Sequence, residues 1–364
     1  MNITPRIQKE LNDLTGFSQY IHTWDSIKFM NIIEKTIGLF FGNQRGKGAM
    51  VCAAGYIPRI MGSHPVPERN VLYFECANGH KFAPTRWLKG FQMRYPDGLC
   101  PTCAKPNRKE VKPHIRGSRV IRFAGDILPG GEDEGVKKKR RGGTKEIRSI
   151  QYPEFIKWCP PFLIKSFPTT REHILSLKDP YGGEDIQIEF VSYKQPVKDT
   201  RGHQRMSIWA DELGAESFYD EQRPRLMIEK GDFIITYTVT EDTESTVLFD
   251  QIYDEAAVYY RSKTIVDDYY KGMLGEIVPQ IERTKSTKSI AVMQSASDDN
   301  PILSTKQVED YLMEYPDPKV QMMRRYCVWQ QLSAKIFPQF RWGIHVQDME
   351  KIFAERYGEM AGVN

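Results

Sequence analysis

The 364-residue chain carries 51 Lys and Arg against 47 Asp and Glu, a formal net charge of +4, with 40% hydrophobic and 27% charged residues. That composition fits a soluble globular protein of one large domain or two ordinary ones, and a net charge of +4 is too small to argue for nucleic acid by itself. No run of about 18 apolar residues occurs, so no transmembrane helix is expected, and the N-terminus MNITPRIQKELNDL lacks the apolar core of a signal peptide, which makes a cytoplasmic protein the expectation.

In chain order, the first 35 residues read as helical, with Ile7, Leu11 and Leu14 at helix-like spacing. Residues 36–41 (TIGLFF) form a short apolar strand running into the glycine-rich segment Gly42, Asn43, Gln44, Arg45, Gly46, Lys47 and Gly48, and residues 49–58 read as a helix ending near Pro58. Residues 70–105 look like an insertion rich in turn formers and in closely spaced Cys and His. Residues 129–149 combine an acidic run with the basic run Lys137–Arg141 and read as a mobile surface loop; contact of that run with DNA phosphates is weighed against a merely solvated charge run. From 186 onward strands dominate, at 186–193, 206–210 and 232–238, with helical patterns around 216–226 and 249–260 and again from about 305 to 332. Strands alternating with helices indicate an α/β domain with a mainly parallel central sheet and helices on both faces.

Six cysteines are present, and disulfides are not expected in a cytosolic chain of this size. Cys52, Cys159 and Cys327 lie among apolar or aromatic neighbours and read as small buried hydrophobes. Cys76, His80, Cys100 and Cys103 differ. They form two short chelating turns, Cys-x-x-x-His and Cys-x-x-Cys, separated by 19 residues and supplying the four ligands of a closed, structural Zn²⁺ site. Phe74 and Phe82 flank the first turn as in zinc ribbons, and His114 is an alternative fourth ligand.

The strand–glycine-rich turn–helix order at 36–58 is the setting a phosphate-binding loop requires. Lys47 supplies the charge for β- and γ-phosphates, and the amides of 43–48 would bind an anion whatever their side chains. The loop departs from GxxxxGK[ST] twice: Phe41 stands at the first glycine position, and Gly48 stands where a Ser or Thr hydroxyl would meet Mg²⁺. The strand at 206–210 ends in Asp211 and Glu212, which fit a Mg²⁺-organising carboxylate and a water-polarising catalytic carboxylate. A helix-capping acidic pair is the plainer reading of those two residues alone. The acidic strand is expected to lie beside the strand that enters the loop. The strand at 232–238 ends in hydroxyls, Thr236 and Thr238, where a γ-phosphate sensor would sit, although threonine is also simply a good strand former.

The order of these segments resembles the large terminase subunit of tailed phages. The loop resembles that family's GGNRSGK-type loop; Phe190–Gln195 with Arg201 and Gly202 resembles its F-x-SY-x-Q…G stretch; Ile208–Glu212 resembles its iWxDE strand. Pro224–Leu226 and Ile235–Thr238 resemble the PRL and TxTP segment, and Asp299–Pro301 and Lys335–Phe340 the DNP and IFPxF stretches, so the match runs in order from about 25 to 345.

The resemblance implies a P-loop NTPase fold of the additional-strand catalytic-glutamate type across 1–345, with 346–364 beginning a linker. ATP, Mg²⁺ and structural Zn²⁺ are the implied cofactors. Lys47 would bind the phosphates, Asp211 would organise Mg²⁺, Glu212 would be the catalytic carboxylate, and Thr236 or Thr238 would couple hydrolysis to movement. The family's loop arginine sits one place before Arg45, where this chain has Gln44. Arg201 is the arginine expected to reach a neighbouring subunit's site in a ring, with Arg225 as the alternative. The implied partners are double-stranded DNA, a portal protein, a small terminase subunit and further copies of the chain. Location in the host cytoplasm, transiently at the procapsid portal, follows, without membrane contact. The family's nuclease half has no room after 345, so no nuclease activity is expected from this chain alone. Two other readings stay open: a degenerate P-loop module that binds DNA or assembles without turnover, favoured by Gly48, and another P-loop DNA remodeller, for which no second RecA-like domain is found.

Overall fold

The structure, a computed structural model, describes residues 23–42, 45–83, 85–88, 91–94, 100, 102–103, 112–125, 151–169, 172–181, 183–193, 195, 202–212, 216–239 and 251–328, with backbone alone for 85–88 and 91–94. All of them fall in the first of two compact units, Met1–Val328. Asn43, Gln44, Arg201, the loop expected at 129–149, the stretch Lys335–Phe340 and the expected linker 346–364 lie outside the described residues.

The core is a mixed sheet of ten strands. Along the sheet they are β14 (Ile281–Arg283), β13 (Val258–Arg261), β15 (Ile290–Ser295), β1 (Thr36–Phe41), β12 (Asp232–Tyr237), β11 (Ser207–Asp211), β7 (Val120–Gly125), β10 (Ile186–Ser192), β9 (Ile174–Leu177) and β8 (Ile164–Ser166). The seven strands from β13 to β10 pair in parallel, and the additions at both edges are antiparallel. Parallel strands covered on both faces read as near-continuous apolar runs, and β1 and β15 are buried at every position.

The period-2 alternation of β1 sorts the two faces. Ile37, Leu39 and Phe41 join a core that holds Phe29 of helix α1 (Trp24–Asn31), Met50 to Ile60 of helix α2 (residues 47–60), and Phe155 of helix α3 (Gln151–Trp158). Phe40 points the other way, edge-on to Tyr237 and Tyr253. On that second face Phe233 packs on Tyr219 of helix α4 (Glu216–Gln222). Helices therefore cover both faces of the sheet. A wide-turned helix α5 (Ile265–Leu274) and helices α6 (Thr305–Leu312) and α7 (Pro318–Tyr326) complete the described part. No described helix is long and apolar enough to cross a membrane.

One local expectation gains detail and two need correction. The helix after the glycine-rich turn ends at Ile60, two residues past Pro58. Lys47–Met50, Val51–Tyr56 and Ile57–Ile60 run on as one helix, α2, whose middle portion is wound as a π-turn. Pro58 falls where the wide turn gives way to α geometry, a point at which the hydrogen-bond ladder is already irregular. The helical pattern at 249–260 holds over residues 251–253 but gives way to a strand at Val258–Arg261, because β-branched and aromatic residues there complete the sheet beside β15. Finally, the acidic strand β11 is not beside β1: β12 stands between them and pairs in parallel with both. Ile234, Ile235 and their neighbours are apolar on both faces, which suits a strand that has no free edge.

A smaller three-stranded sheet, β3 (Lys81–Phe82), β2 (Leu72–Glu75) and β6 (Lys112–Ile115), with the pair β4 (Thr85–Leu88) and β5 (Phe91–Arg94), forms the cysteine-bearing excursion; β6 carries it beyond residue 105.

At the entry end of β12, the Asp232 carboxylate is buried between Arg59 of α2 (2.8 Å) and Arg69 (3.1 Å) and accepts the Ser207 hydroxyl of β11 (2.6 Å). Burial alone would raise its pKa, but the two guanidiniums hold it well below the usual carboxylate range. Removing one partner of a buried ion pair leaves an uncompensated charge. Asp232→Asn is expected to destabilise the fold by about 3–5 kcal/mol in denaturant titrations at neutral pH. Because the folded pKa is depressed, this contribution is complete above the ordinary Asp pKa and fades as pH falls toward the folded value. The gap between wild type and Asp232→Asn should therefore shrink in acid.

Candidate functional site

The loop leaves the C-terminal end of β1 under tight steric limits. A β-carbon on Gly42 would sit 2.0 Å from the Arg325 carbonyl oxygen and 2.5 Å from the Ser297 amide, so only glycine fits. Gly46 has φ +82°, and a β-carbon added there would meet nothing within 4 Å among the described residues; the left-handed backbone is what favours glycine here. That turn delivers Lys47 to the N-terminus of α2, where the first amides have no intrahelical acceptor and face an incoming anion.

Arg45 does not face that space. It is buried, paired with the carboxylate of Asp25 in α1, and its Nε donates to the Ser295 hydroxyl at the end of β15 (2.7 Å). Its guanidinium lies 5.8 Å from the Phe41 ring centre. It pins the loop to two neighbouring elements.

The predicted acidic and hydroxyl residues converge on Lys47. Its Nζ pairs with Glu212 Oε1 and donates to the Thr238 hydroxyl at 2.8 Å. The second Glu212 oxygen accepts the Thr238 amide (3.1 Å), and the Glu212 amide donates to the Thr236 carbonyl (2.7 Å). Asp211 stands one place earlier: the Thr236 hydroxyl donates to its Oδ1 at 2.6 Å and in turn accepts the indole N–H of Trp209 at 2.9 Å. Because β12 lies between β1 and β11, its two threonines become the shared partners of the lysine and the acid pair.

Glu212 holds φ +63°, uncommon for a residue with a β-carbon, and such strain concentrates where geometry serves function. Burial raises its pKa, Lys47 pulls it down and Asp211 pushes it up again; the net result lies above the ordinary value. With 44% of the side chain open to solvent, water screens these charges in part. Tyr193, within the quoted F-x-SY-x-Q stretch but given no role from sequence, donates its hydroxyl toward the carbonyls of Asp211 and Glu212 (3.2 and 3.1 Å). It fixes the end of β11 from the far side. Arg225 is tied within the chain to Glu221 (2.7 Å) and the Gly202 carbonyl (3.2 Å).

In the excursion, Cys76, His80, Cys100 and Cys103 bring their ligand atoms within 4.8 Å of one another. The Cys76 and Cys103 sulfurs are 3.8 Å apart, and His80 Nδ1 lies 2.9 to 4.0 Å from the three sulfurs. A tetrahedral ion with metal–sulfur bonds of about 2.3 Å spaces its sulfurs by roughly 3.8 Å, so the group can hold a metal ion. Burial raises the Cys100 thiol, but the amides of Cys103 and Thr102 outweigh it and bring it down to about 7. Phe74 stacks on Phe82 beneath the cluster at 5.8 Å. His114 is occupied elsewhere, stacked on Tyr73 and 3.3 Å from Glu75, which leaves His80 as the histidine of the group. Cys52, Cys159 and Cys327 are buried and free.

No protein-family profile matches the sequence, and no curated protein matches it. Among solved structures, the ATPase domain of the large terminase from Thermus phage P74-26 is similar over 89% of this chain and 98% of that one, at 10% identity and a TM-score of 0.47. The large terminase of another thermophilic bacteriophage is similar over 88% of this chain and 52% of that one, at 11% identity and a TM-score of 0.39. That second enzyme in complex with ADP gives 11% identity and a TM-score of 0.37, over 86% and 51% of the two chains. At these identities the likeness assigns neither residues nor activity, and the chemistry rests on the geometry described above.

Proposed function

We propose that this chain is the ATP-hydrolysing motor of a viral genome-packaging terminase, driving double-stranded DNA into a procapsid. The observation that carries the ATPase reading is the meeting of Lys47, Glu212 and Thr238 at one point, delivered from β1, β11 and β12, at the mouth of a glycine-rich turn. The packaging part rests on the ordered run of terminase-like segments in the sequence. With it go a homo-oligomeric ring, a portal protein and a small terminase subunit as partners, at the portal in the host cytoplasm.

Lys47 and Glu212 neutralise each other while no phosphate is present. An incoming γ-phosphate competes for the ammonium, and Glu212 then loses the charged neighbour that does most to lower its pKa. The carboxylate becomes more basic as substrate arrives, which suits a group that must polarise water. Thr238 contacts both, its hydroxyl accepting from Lys47 and its amide donating to Glu212, and so senses whether the two stay paired; Thr236, through Asp211, carries that state into β12. Mg²⁺, held by Asp211, would supply charge neutralisation on the phosphates. Zn²⁺ would be held by Cys76, His80, Cys100 and Cys103 with no open position, hence a structural role.

A second reading has one observation in its favour: with Gly48 in place of a hydroxyl, the chain would bind nucleotide and DNA without turning over. Steady-state ATP hydrolysis with and without DNA separates the two. Under the motor reading, DNA stimulates hydrolysis and Glu212→Gln lowers kcat by about 10²–10⁴-fold while nucleotide still binds. Hydrolysis that survives the change would remove Glu212 from its role. The acid limb of the kcat profile should lie above the ordinary glutamate pKa of about 4.3. Elemental analysis should find one zinc per chain, lost together with thermal stability in Cys100→Ser; a stable, zinc-free wild type would refute the metal assignment.

A further inference from the structure

Gly48 follows Lys47 at the start of α2. Among the described residues, a β-carbon placed there would meet Glu154 Cγ at 3.5 Å and Trp209 Cη2 at 3.9 Å, both ordinary van der Waals contacts. The space that a serine or threonine side chain would fill is therefore open, and an acidic side chain borders it. Glu154 belongs to α3, which is fixed on two sides. Phe155 is buried edge-on against Phe123 at 5.7 Å, and the Gln151 amide donates to the carbonyls of Ala124 (3.1 Å) and Trp209 (3.4 Å) at the ends of β7 and β11. One Glu154 oxygen accepts the indole N–H of Trp158 at 2.6 Å, which orients the carboxylate. One turn below Gly48, the Cys52 thiol is pushed far up, first by burial and then by the charges of Glu154 and Asp211, so both carboxylates act on the same stretch of α2.

We propose that Glu154 replaces the missing hydroxyl, its carboxylate serving with Asp211 as a ligand, direct or through water, for the Mg²⁺ that accompanies ATP. This rests on the ATPase reading above. Exchanging a neutral hydroxyl for a carboxylate has a signed consequence. Without metal, the extra negative charge opposes the phosphates and weakens nucleotide binding; with metal, it strengthens it. The site is thereby made more dependent on its cation than one with a hydroxyl.

The test uses the full chain, a fluorescent ADP analogue in EDTA and in Mg²⁺, and Mn²⁺ electron paramagnetic resonance of the nucleotide complex. Glu154→Gln keeps an acceptor for Trp158 and removes only the charge. It should reduce Mn²⁺ affinity of the nucleotide complex by about 10-fold or more, the usual range for losing a metal-shell partner, and should tighten metal-free ADP binding. Gly48→Ser, whose β-carbon the space accepts, should restore most of the metal affinity when added to Glu154→Gln. A structural role alone would not produce opposite shifts with and without metal, nor rescue at position 48. Metal affinity unchanged in Glu154→Gln, with nucleotide binding that Mg²⁺ tightens equally in both proteins, overturns this proposal and leaves the ATPase reading standing. No nucleotide binding by the wild type under either condition overturns both.

Discussion

Strand β12 is bound by hydrogen bonds along both edges, to β1 on one side and β11 on the other, and that double constraint sets the distance across which the site must work. A strand spacing is about 4.8 Å, so the ends of β1 and β11 stand roughly 10 Å apart. A lysine reaching over from the loop and a glutamate reaching back can close that gap, and the threonines of the strand between them sit at its midpoint. Nothing in the loop or the acid pair alone determines this; a strand with no free edge does. The same strand carries Asp232 at its other end, locked by Arg59 of the helix that begins at Lys47. The loop–helix unit is thus attached to β12 at both ends, once by a buried ion pair and once by the more exposed contacts of Lys47.

The division between fixed and exchangeable charge recurs across the molecule. Arg45 and Asp25, and Arg122 and Arg205 on either side of Glu189, are ion pairs whose cations are buried. Burial favours their persistence, because parting them would strand a charge away from water. Lys47 and Glu212 are more exposed, and their separation costs correspondingly less. An ATPase needs that asymmetry: scaffold charges that never let go, and a site pair that does so when phosphate arrives.

Features whose chemistry is local are legible in the sequence. The two chelating turns are short enough to read from spacing, and β1, β11 and β12 announce themselves as apolar runs ending in a glycine-rich turn, an acid pair and hydroxyls. Strands β7 and β15 are not legible, because a fully buried run such as 290–295 has no periodicity to distinguish it from a helix segment. The same ambiguity makes Val258–Arg261 read as helix. The position of β12 between β1 and β11 is a matter of topology, and an expectation of adjacency meets no local signal to correct it. Arg45 is equally opaque, since its partner Ser295 lies 250 residues away. Tyr193 and Glu154 act through atoms supplied by other elements, and only packing discloses them.

The π-turn over Val51–Tyr56 carries a consequence for how this protein tolerates change in length. A turn of that kind holds one more residue than the α-helical path it replaces, and it sits between two anchored ends, Lys47 above and Arg59 below. Deleting a single residue from 51–56 would let the helix rewind to α geometry with the turns on either side still in phase, because the wide turn already absorbs that one residue. Arg59 would still face Asp232 while Lys47 stayed in place. The wide turn is thus the one stretch of α2 that can lose a residue and keep phase, whereas a deletion from its regular α-helical turns would swing everything after it by about 100°, the angle between successive residues at 3.6 per turn.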